Sequence, residues 1–343
     1  MSRFFIATAV ALSLCACGGG TNPFDSATDG SGDDSGSSRT MPPGTESPSA
    51  SSGIYRTEPT SDDDTYLGNG YATDISYDAT KDTFTVDNLA FDGDNEYSRG
   101  TAVSTLGSGS QTYKVYEADT QYTDPNNNKP VTQFTHRAIY GVSTSGNTKF
   151  AIVRTGAYAG YGFGGFLYQR DGGVTLPTTG QAVYTGTTAG IRDFDGASGL
   201  EYTTADLSIA IDFDDFNEST GTRGDAVQGT LSNRKVFDIN GNDITDTVLA
   251  RINADQNVTL VSYPVANFKV GPGVLDDNGE LIGELSSQFI NSNGEAEVFE
   301  TGTYYAIISG DSADEIVGVM VLENSIDPIA DSVRETSGFI VYR

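Results

Sequence analysis

The sequence predicts an all-β protein: a soluble eight-stranded antiparallel β-barrel, preceded by a β-rich subdomain and a disordered N-terminal tether. Three observations carry that expectation. Glycine (41), tyrosine (18) and phenylalanine (17) are plentiful among the 343 residues and tryptophan is absent, which suits short strands and tight turns. Beyond residue 54 apolar and polar residues alternate in short bursts, with Gly, Asn and Asp clusters between them. Sustained 3.6-residue periodicity with caps is missing from residues 54–170.

The first sixteen residues read as a secretory signal. Arg3 precedes the apolar run Phe4 to Leu14, which is too short to remain as a spanning helix. Leu14-Cys15-Ala16-Cys17 reads as a bacterial lipobox, with a large residue at −3 and a small one at −1 relative to Cys17. Cys15 has Leu14 at −1, too bulky for cleavage, so Cys17 is the expected lipidation site. Acyl chains there anchor the protein, each buried methylene contributing about 0.8 kcal/mol. Gly18 rather than Asp follows Cys17, which by resemblance to enterobacterial sorting points to the outer membrane.

Residues 17–53 are expected to be a lipidated, disordered linker. Of the 36 residues from 18 to 53, 25 are Gly, Ser, Pro or Thr, and only Phe24 and Met41 are large and apolar. Such a stretch has too little to bury, and as a flexible coil it reaches about 30–36 Å. Residues 54–174 form the β-rich subdomain, with alternating bursts at Tyr71 to Tyr77, Thr83 to Leu89, Gln111 to Tyr116, Arg137 to Val142 and Lys149 to Thr155.

Residues 175–343 hold eight strand-like segments: 181–193, 203–214, 225–236, 257–265, 281–290, 295–309, 315–323 and 334–342. Eight is a natural number for closing a small barrel, with the first segment pairing with the last. In the second, Leu207, Ile209, Ile211 and Phe213 face one way and Ser208, Ala210, Asp212 and Asp214 the other. In the seventh both faces are apolar. Asp243 to Asn253 is the one plausible short helix, with Asp243 as N-cap. Alternation alone does not say which face is wet. A lipid-tethered soluble barrel is preferred over a spanning one, because the polar faces carry Asp, Glu and Lys and an eight-stranded barrel has little lumen.

Val183-Tyr184-Thr185-Gly186, the hairpin Leu207 to Phe216 with Asp225 to Asn233, and Thr303-Tyr304-Tyr305 followed by Gly310 to Gly318 are glycine-and-aromatic strand signatures. On these, residues 175–343 resemble the barrel domain of transferrin-binding protein B and related surface lipoproteins. The resemblance implies an outer-membrane lipoprotein with a barrel beside a looser β "handle", which residues 54–170 would supply. The chain departs from the two-lobed pattern, having one barrel. No segment matches the host-transferrin contact loops, and no binding residue carries over.

Charge and motifs bound the chemistry. Without residues 1–16 the chain has 18 basic and 47 acidic side chains, a formal charge of −29, which repels nucleic acid and anionic lipid. Both cysteines, Cys15 and Cys17, lie in the signal and lipobox, so no disulfide framework is expected. Asp238-x-Asn240-x-Asn242 has calcium-loop spacing, but Asp243 stands at the sixth position where glycine is required, so a turn centred on Gly241 is the better reading. Asp212, Asp214, Asp215, Asn217 and Glu218, and Asp62-Asp63-Asp64, read as solvated charge. Gly160-Tyr161-Gly162-Phe163-Gly164-Gly165-Phe166 lacks the Lys-Ser/Thr of a phosphate loop and suits a bent strand. Gly107-Ser108-Gly109-Ser110 reads as a hairpin turn rather than a nucleophile elbow. His136 is the sole histidine; neither a catalytic triad nor a zinc site can be assembled around it.

No catalytic residue, cofactor or metal is therefore expected. The expected function is that of a monomeric, outer-membrane-anchored binding or surface module for a protein or small-molecule ligand, with no nucleic-acid partner. A structural coat lipoprotein and a carboxylate-dependent hydrolase are the alternatives. A binder would group exposed aromatics such as Tyr158, Tyr161 and Phe163, a coat would be charged nearly all round, and a hydrolase would bury two carboxylates in a cleft.

Overall fold

The computed structural model describes residues 41–60, 70–72, 74–108, 111–156, 160–217, 222–272 and 274–343. Among the described residues eleven strands precede residue 171: β1 (Ile54–Thr57), β2 (Ile75–Asp78), β3 (Thr83–Val86), β4 (Glu96–Arg99), β5 (Thr105–Ser108), β6 (Gln111–Ala118), β7 (Gln121–Thr123), β8 (Pro130–Thr132), β9 (His136–Val142), β10 (Thr148–Thr155) and β11 (Gly164–Arg170). Nine of them form one antiparallel sheet in the order β1-β11-β10-β9-β6-β4-β3-β2, with β5 on β6, while β7 and β8 pair as a separate ribbon.

The second half contains β12 (Gln181–Asp195), β13 (Glu201–Asn217), β14 (Thr222–Phe237), α1 (Thr245–Gln256), β15 (Ala266–Phe268), β16 (Gly271–Pro272), β17 (Glu280–Ile290), β18 (Ala296–Ser309), β19 (Glu315–Asn324) and β20 (Ser332–Tyr342). Each strand pairs with the next, β15 and β16 together acting as one interrupted stave along β14. The ring closes where β12 meets β20, from Thr185↔Tyr342 to Asp195↔Ser332. This is the expected eight-stranded antiparallel barrel.

The alternation now has a direction. Leu207, Ile209, Ile211 and Phe213 of β13 point into the barrel and share a core with Tyr184, Leu231, Phe268, Leu281, Tyr304, Met320 and Phe339. Outward stand Asp206, Ser208, Gln228, Thr230 and Asn267. Each fully buried large side chain contributes about 1.5–3 kcal/mol. Phe268 and Tyr304 stack at 4.0 Å over Gly283, where a Cβ would lie 2.2 Å from the tyrosine ring.

The apolar faces of β19 divide between two cores. Ile316, Met320 and Leu322 fill the barrel, while Val317, Val319 and Val321 pack outside it against Ile54, Phe150, Ile152, Phe166 and Tyr168 of the first sheet. The first sheet is thus docked on the barrel wall, and its far face carries a third cluster around Phe84, Tyr97 and Tyr116.

Two expected elements move. The fourth stave is not 257–265 but β15 with β16, because Asn257 ends α1 in the left-handed region (φ 53°) and Pro264 has no N–H to give to a ladder. Asn253 instead pins the intervening loop, accepting the Leu260 N–H at 2.6 Å and donating to its carbonyl at 2.9 Å. The helix runs from Thr245 to Gln256 rather than 243 to 253. Ile244 occupies the N-cap without a side-chain bond, and the Asp243 carboxylate accepts the Thr245 N–H at 3.0 Å from one residue further out.

One turn recurs three times: Asp238 to Asn242, Asp276 to Glu280 and Asn291 to Glu295. In each, the first side chain's oxygen accepts the N–H two residues on (2.9 Å in all three) and four residues on (2.9, 2.8 and 3.0 Å). The fourth residue, Gly241, Gly279 or Gly294, takes a φ of 83°, 84° or 82°, a conformation only glycine adopts without strain. Asp238 Oδ1 is thus engaged by turn amides, which accounts for the calcium-like spacing.

Candidate functional site

The upper end of the barrel interior is ionic. A register shift between Thr204 and Asp206 of β13, where β14 advances from Ser232 to Lys235, turns Arg234 inward. Its guanidinium forks onto Glu300 and reaches Glu335 at 3.0 Å. Glu300 also accepts from Ser287 at 2.9 Å, and Glu335 from Ser337 at 2.8 Å and Thr203 at 3.0 Å. Nearer the mouth, Arg192 bridges Glu201 and Asp327, the latter at 2.7 Å. Arg251 of α1 grips the same Asp327 at 2.6 and 2.7 Å. The helix sits over this end by burying Val248, Leu249 and Ile252 against Val236, Tyr263, Phe289 and Phe299.

Two of these acids, Glu335 and Asp327, are held as anions. Burial alone would raise the Glu335 carboxyl, but Arg234, Ser337 and Arg192 outweigh it and hold it below the usual carboxylate range. Burial is likewise overcome at Asp327 by Arg251 and Arg192. Carboxylates held ionised by guanidinium do not supply the protonated partner that glycoside-type hydrolysis requires.

A second set of ions joins the first sheet to the barrel. Arg56 is bidentate on Glu280 at 2.6 and 2.7 Å. Arg154, fully buried, is bidentate on Glu58 at 2.7 and 2.9 Å and reaches Thr336 at 2.8 Å. Within the barrel Arg334 forks onto Asp193, and that same carboxylate lies 3.8 Å from Arg154 of the first sheet. Tyr113 donates to the Thr187 carbonyl at 2.8 Å and accepts the Ile340 N–H at 3.0 Å.

The guanidinium of Arg170 donates to five backbone carbonyls: Gly172, Asn278, Ile308, Ser49 and Ser52, at 2.7–3.1 Å. Arg56 adds Pro42 and Thr45, at 3.2 and 3.0 Å. Residues 41–53, expected to belong to the disordered linker, are therefore seated on the junction. Polar composition hid this, because the segment is held largely through its carbonyls, with only Met41 and Ala50 packed against the apolar cores.

Of the aromatics expected to form an exposed patch, the two described, Tyr161 and Phe163, are not grouped as one. Tyr161 hydrogen-bonds Ser332 at 2.5 Å and lies under the Arg334 guanidinium, 4.4 Å from the ring centre, and Phe163 meets Tyr71 edge-on at 5.2 Å. Both are partly buried. Cys17, Asp62 to Asp64, Tyr158, Gly109, Ser110 and Glu218 lie outside the described residues. His136 is buried among Tyr97 and its neighbours. Asp212 and Asp214 sit beside Asp225, whose carboxyl is pushed up by burial and then by Asp277, Asp212 and Asp214. Among the described residues no group of three or more His, Cys, Asp or Glu is placed to hold a metal ion.

No known family profile and no curated protein matches the sequence. Solved structures do match. A double mutant of the vaccine antigen transferrin-binding protein B from Haemophilus parasuis Hp5 is 14% identical, covering 80% of this chain and 48% of that one, with a TM-score of 0.34. A single mutant of the same antigen is 14% identical over 84% of this chain and 51% of that one, TM-score 0.30. Intact Ap-TbpB (N and C lobes) is 13% identical over 84% and 52%, TM-score 0.35. The chain spans about half the length of each structure.

What sequence reading missed is the ionic framework. Its signal was present: arginine outnumbers lysine 13 to 6, and Arg56, Arg154, Arg170, Arg192, Arg234 and Arg334 all fall within strands. Arginine is the cation suited to buried, forked pairing. Open grooves are present among the described residues. One, of about 400 Å³, lies between Leu106 of β5 and the turn at Asn240. Another, of about 370 Å³, lies on the outer barrel wall beside Val183 and Val270.

Proposed function

We propose that this protein is a lipid-anchored binding module of the bacterial outer membrane, held through Cys17 and presenting a rigid handle (54–174) and barrel (175–343) as a monomer. The observation that carries the reading is the sense of the barrel: side chains fill its interior, its outer wall is polar or covered by the first sheet apart from scattered valines and Ile290, and the lipobox supplies the attachment. A lipid-spanning barrel needs the opposite sense, an apolar belt outside. The body is therefore suited to standing on a membrane and offering surface. The acidic charge disfavours nucleic acid and suits a protein or small-molecule ligand.

Metabolic labelling with an alkyne fatty acid tests the anchor. Label is expected on the wild type and not on Cys17→Ser, in the outer-membrane fraction; equal labelling of both, or recovery with inner membranes alone, refutes it. Presenting the full-length chain in detergent to culture medium tests the binding role, with specific, saturable retention of one component expected. Retention of nothing above a charge-matched control would favour a structural coat.

A further inference from the structure

The β17–β18 hairpin runs past the barrel rim with an open edge and an apolar outer face. On its inner flank β17 pairs with β15 only as far as Ser287↔Ala266, and Pro264 lies just beyond. The Glu284 carbonyl accepts the Lys269 N–H at 2.8 Å on that same flank, so Gln288 and Ile290, of the same parity, direct their N–H and C=O groups there, past the end of β15. Ile290 pairs with Ala296 and Gln288 with Val298, placing all four side chains on one face. Ile290 is 62% exposed, Val298 49%, Val265 44% and Val261 87%, above a layer of Tyr263, Phe289 and Phe299.

The charge on the hairpin tip has one sign. Residues 286–299 include two acids, Glu295 and Glu297, and no Lys, Arg or His, both acids stand exposed, and Lys269 on the β15 flank is already paired with Glu284. An unpaired edge with exposed apolar side chains is a hazard that proteins ordinarily block; here it is left open inside an acidic rim.

The geometry points to β-strand addition at the Gln288–Ile290 edge by an extended segment of a partner protein in which apolar residues alternate with lysine or arginine. The edge amides hold the backbone, Ile290 and Val298 receive the apolar side chains, and Glu295 and Glu297 receive the cations. This rests on the reading of the protein as a binding module and names the partner chemistry of one surface. A second copy of this chain fits poorly, since its own hairpin would bring like charge to the rim.

The test uses the full-length chain in detergent and a labelled eight-residue peptide of alternating lysine and valine, followed by fluorescence anisotropy. Saturable binding is expected, weakening as salt is raised. Ile290→Asp with Val298→Asp should weaken it by more than about tenfold, and Gln288→Pro, which removes an outward N–H, by about three- to tenfold. Val270→Asp, exposed elsewhere on the barrel, should leave it unchanged. Matched thermal transitions check that each variant is folded. Lack of saturable binding, equal binding of a lysine–serine peptide, or indifference to the Ile290/Val298 pair would overturn the inference. So would a concentration-dependent dimer abolished by that pair. A partner retained from medium equally well by the Ile290/Val298 variant would overturn this site while leaving the binding-module reading intact.

Discussion

At His136, burial sets the chemistry. The ring is fully buried, Nδ1 lies 3.3 Å from the Phe134 carbonyl, and Nε2 meets no hydrogen-bond partner. Burial first, and then the charge of Arg137, push its pKa down to about 4 against the pull of the Phe134 carbonyl. The folded value lies below the unfolded one, so the unfolded chain takes up the proton first as pH falls. This stability is whole above pH ~6.5 and is lost between there and pH ~4, a total of about 3 kcal/mol. Urea unfolding of the wild type should show that slope, and His136→Gln should flatten it; identical slopes would mean the imidazole does not titrate on unfolding. The sequence showed a lone histidine in a strand, but its burial depends on neighbours distant in the chain.

At the level of elements, regular pieces were legible and irregular ones were not. The run Leu207 to Phe213 alternates cleanly, so β13 was readable, and β19 announced by its two apolar faces that both sides would be covered. The fourth stave was missed because β15 and β16 are too short to show a period, while the Val258 to Val265 run imitates a strand. Arg234 was missed because a bulge reverses its facing. Its role predicts the largest single-site effect: Arg234→Met leaves Glu300 and Glu335 buried without their cation and should cost about 3–5 kcal/mol. Replacing both acids by leucine in the same chain should recover much of that, which calorimetric melting will read. An additive loss across the three substitutions would show that the charges do not act as a unit.

For the whole molecule, the seat of residues 41–53 has a practical consequence. A chain starting at residue 54 retains every strand but strips Arg170 of the Ser49 and Ser52 carbonyls, and Arg56 of those of Pro42 and Thr45. Each buried donor left unsatisfied costs about 1–3 kcal/mol. The 54–343 fragment should therefore melt several degrees below the 41–343 fragment, and equal melting temperatures would mean that water replaces those carbonyls without loss.

By itself the sequence determined the class of this protein. Alternation at period two, turn residues at regular intervals and the lack of capped helical periodicity leave a β fold as the way to bury these apolar side chains, because those signals are local and each strand carries its own. The lipobox reading and the acidic charge are local in the same sense. Only the tertiary structure decided which face of each strand is dry, which arginine meets which carboxylate, and where an edge is left open. Those outcomes depend on register and closure between residues as far apart as Arg56 and Glu280 or Asp193 and Arg334, and pairing at such distances leaves no periodic trace along the chain.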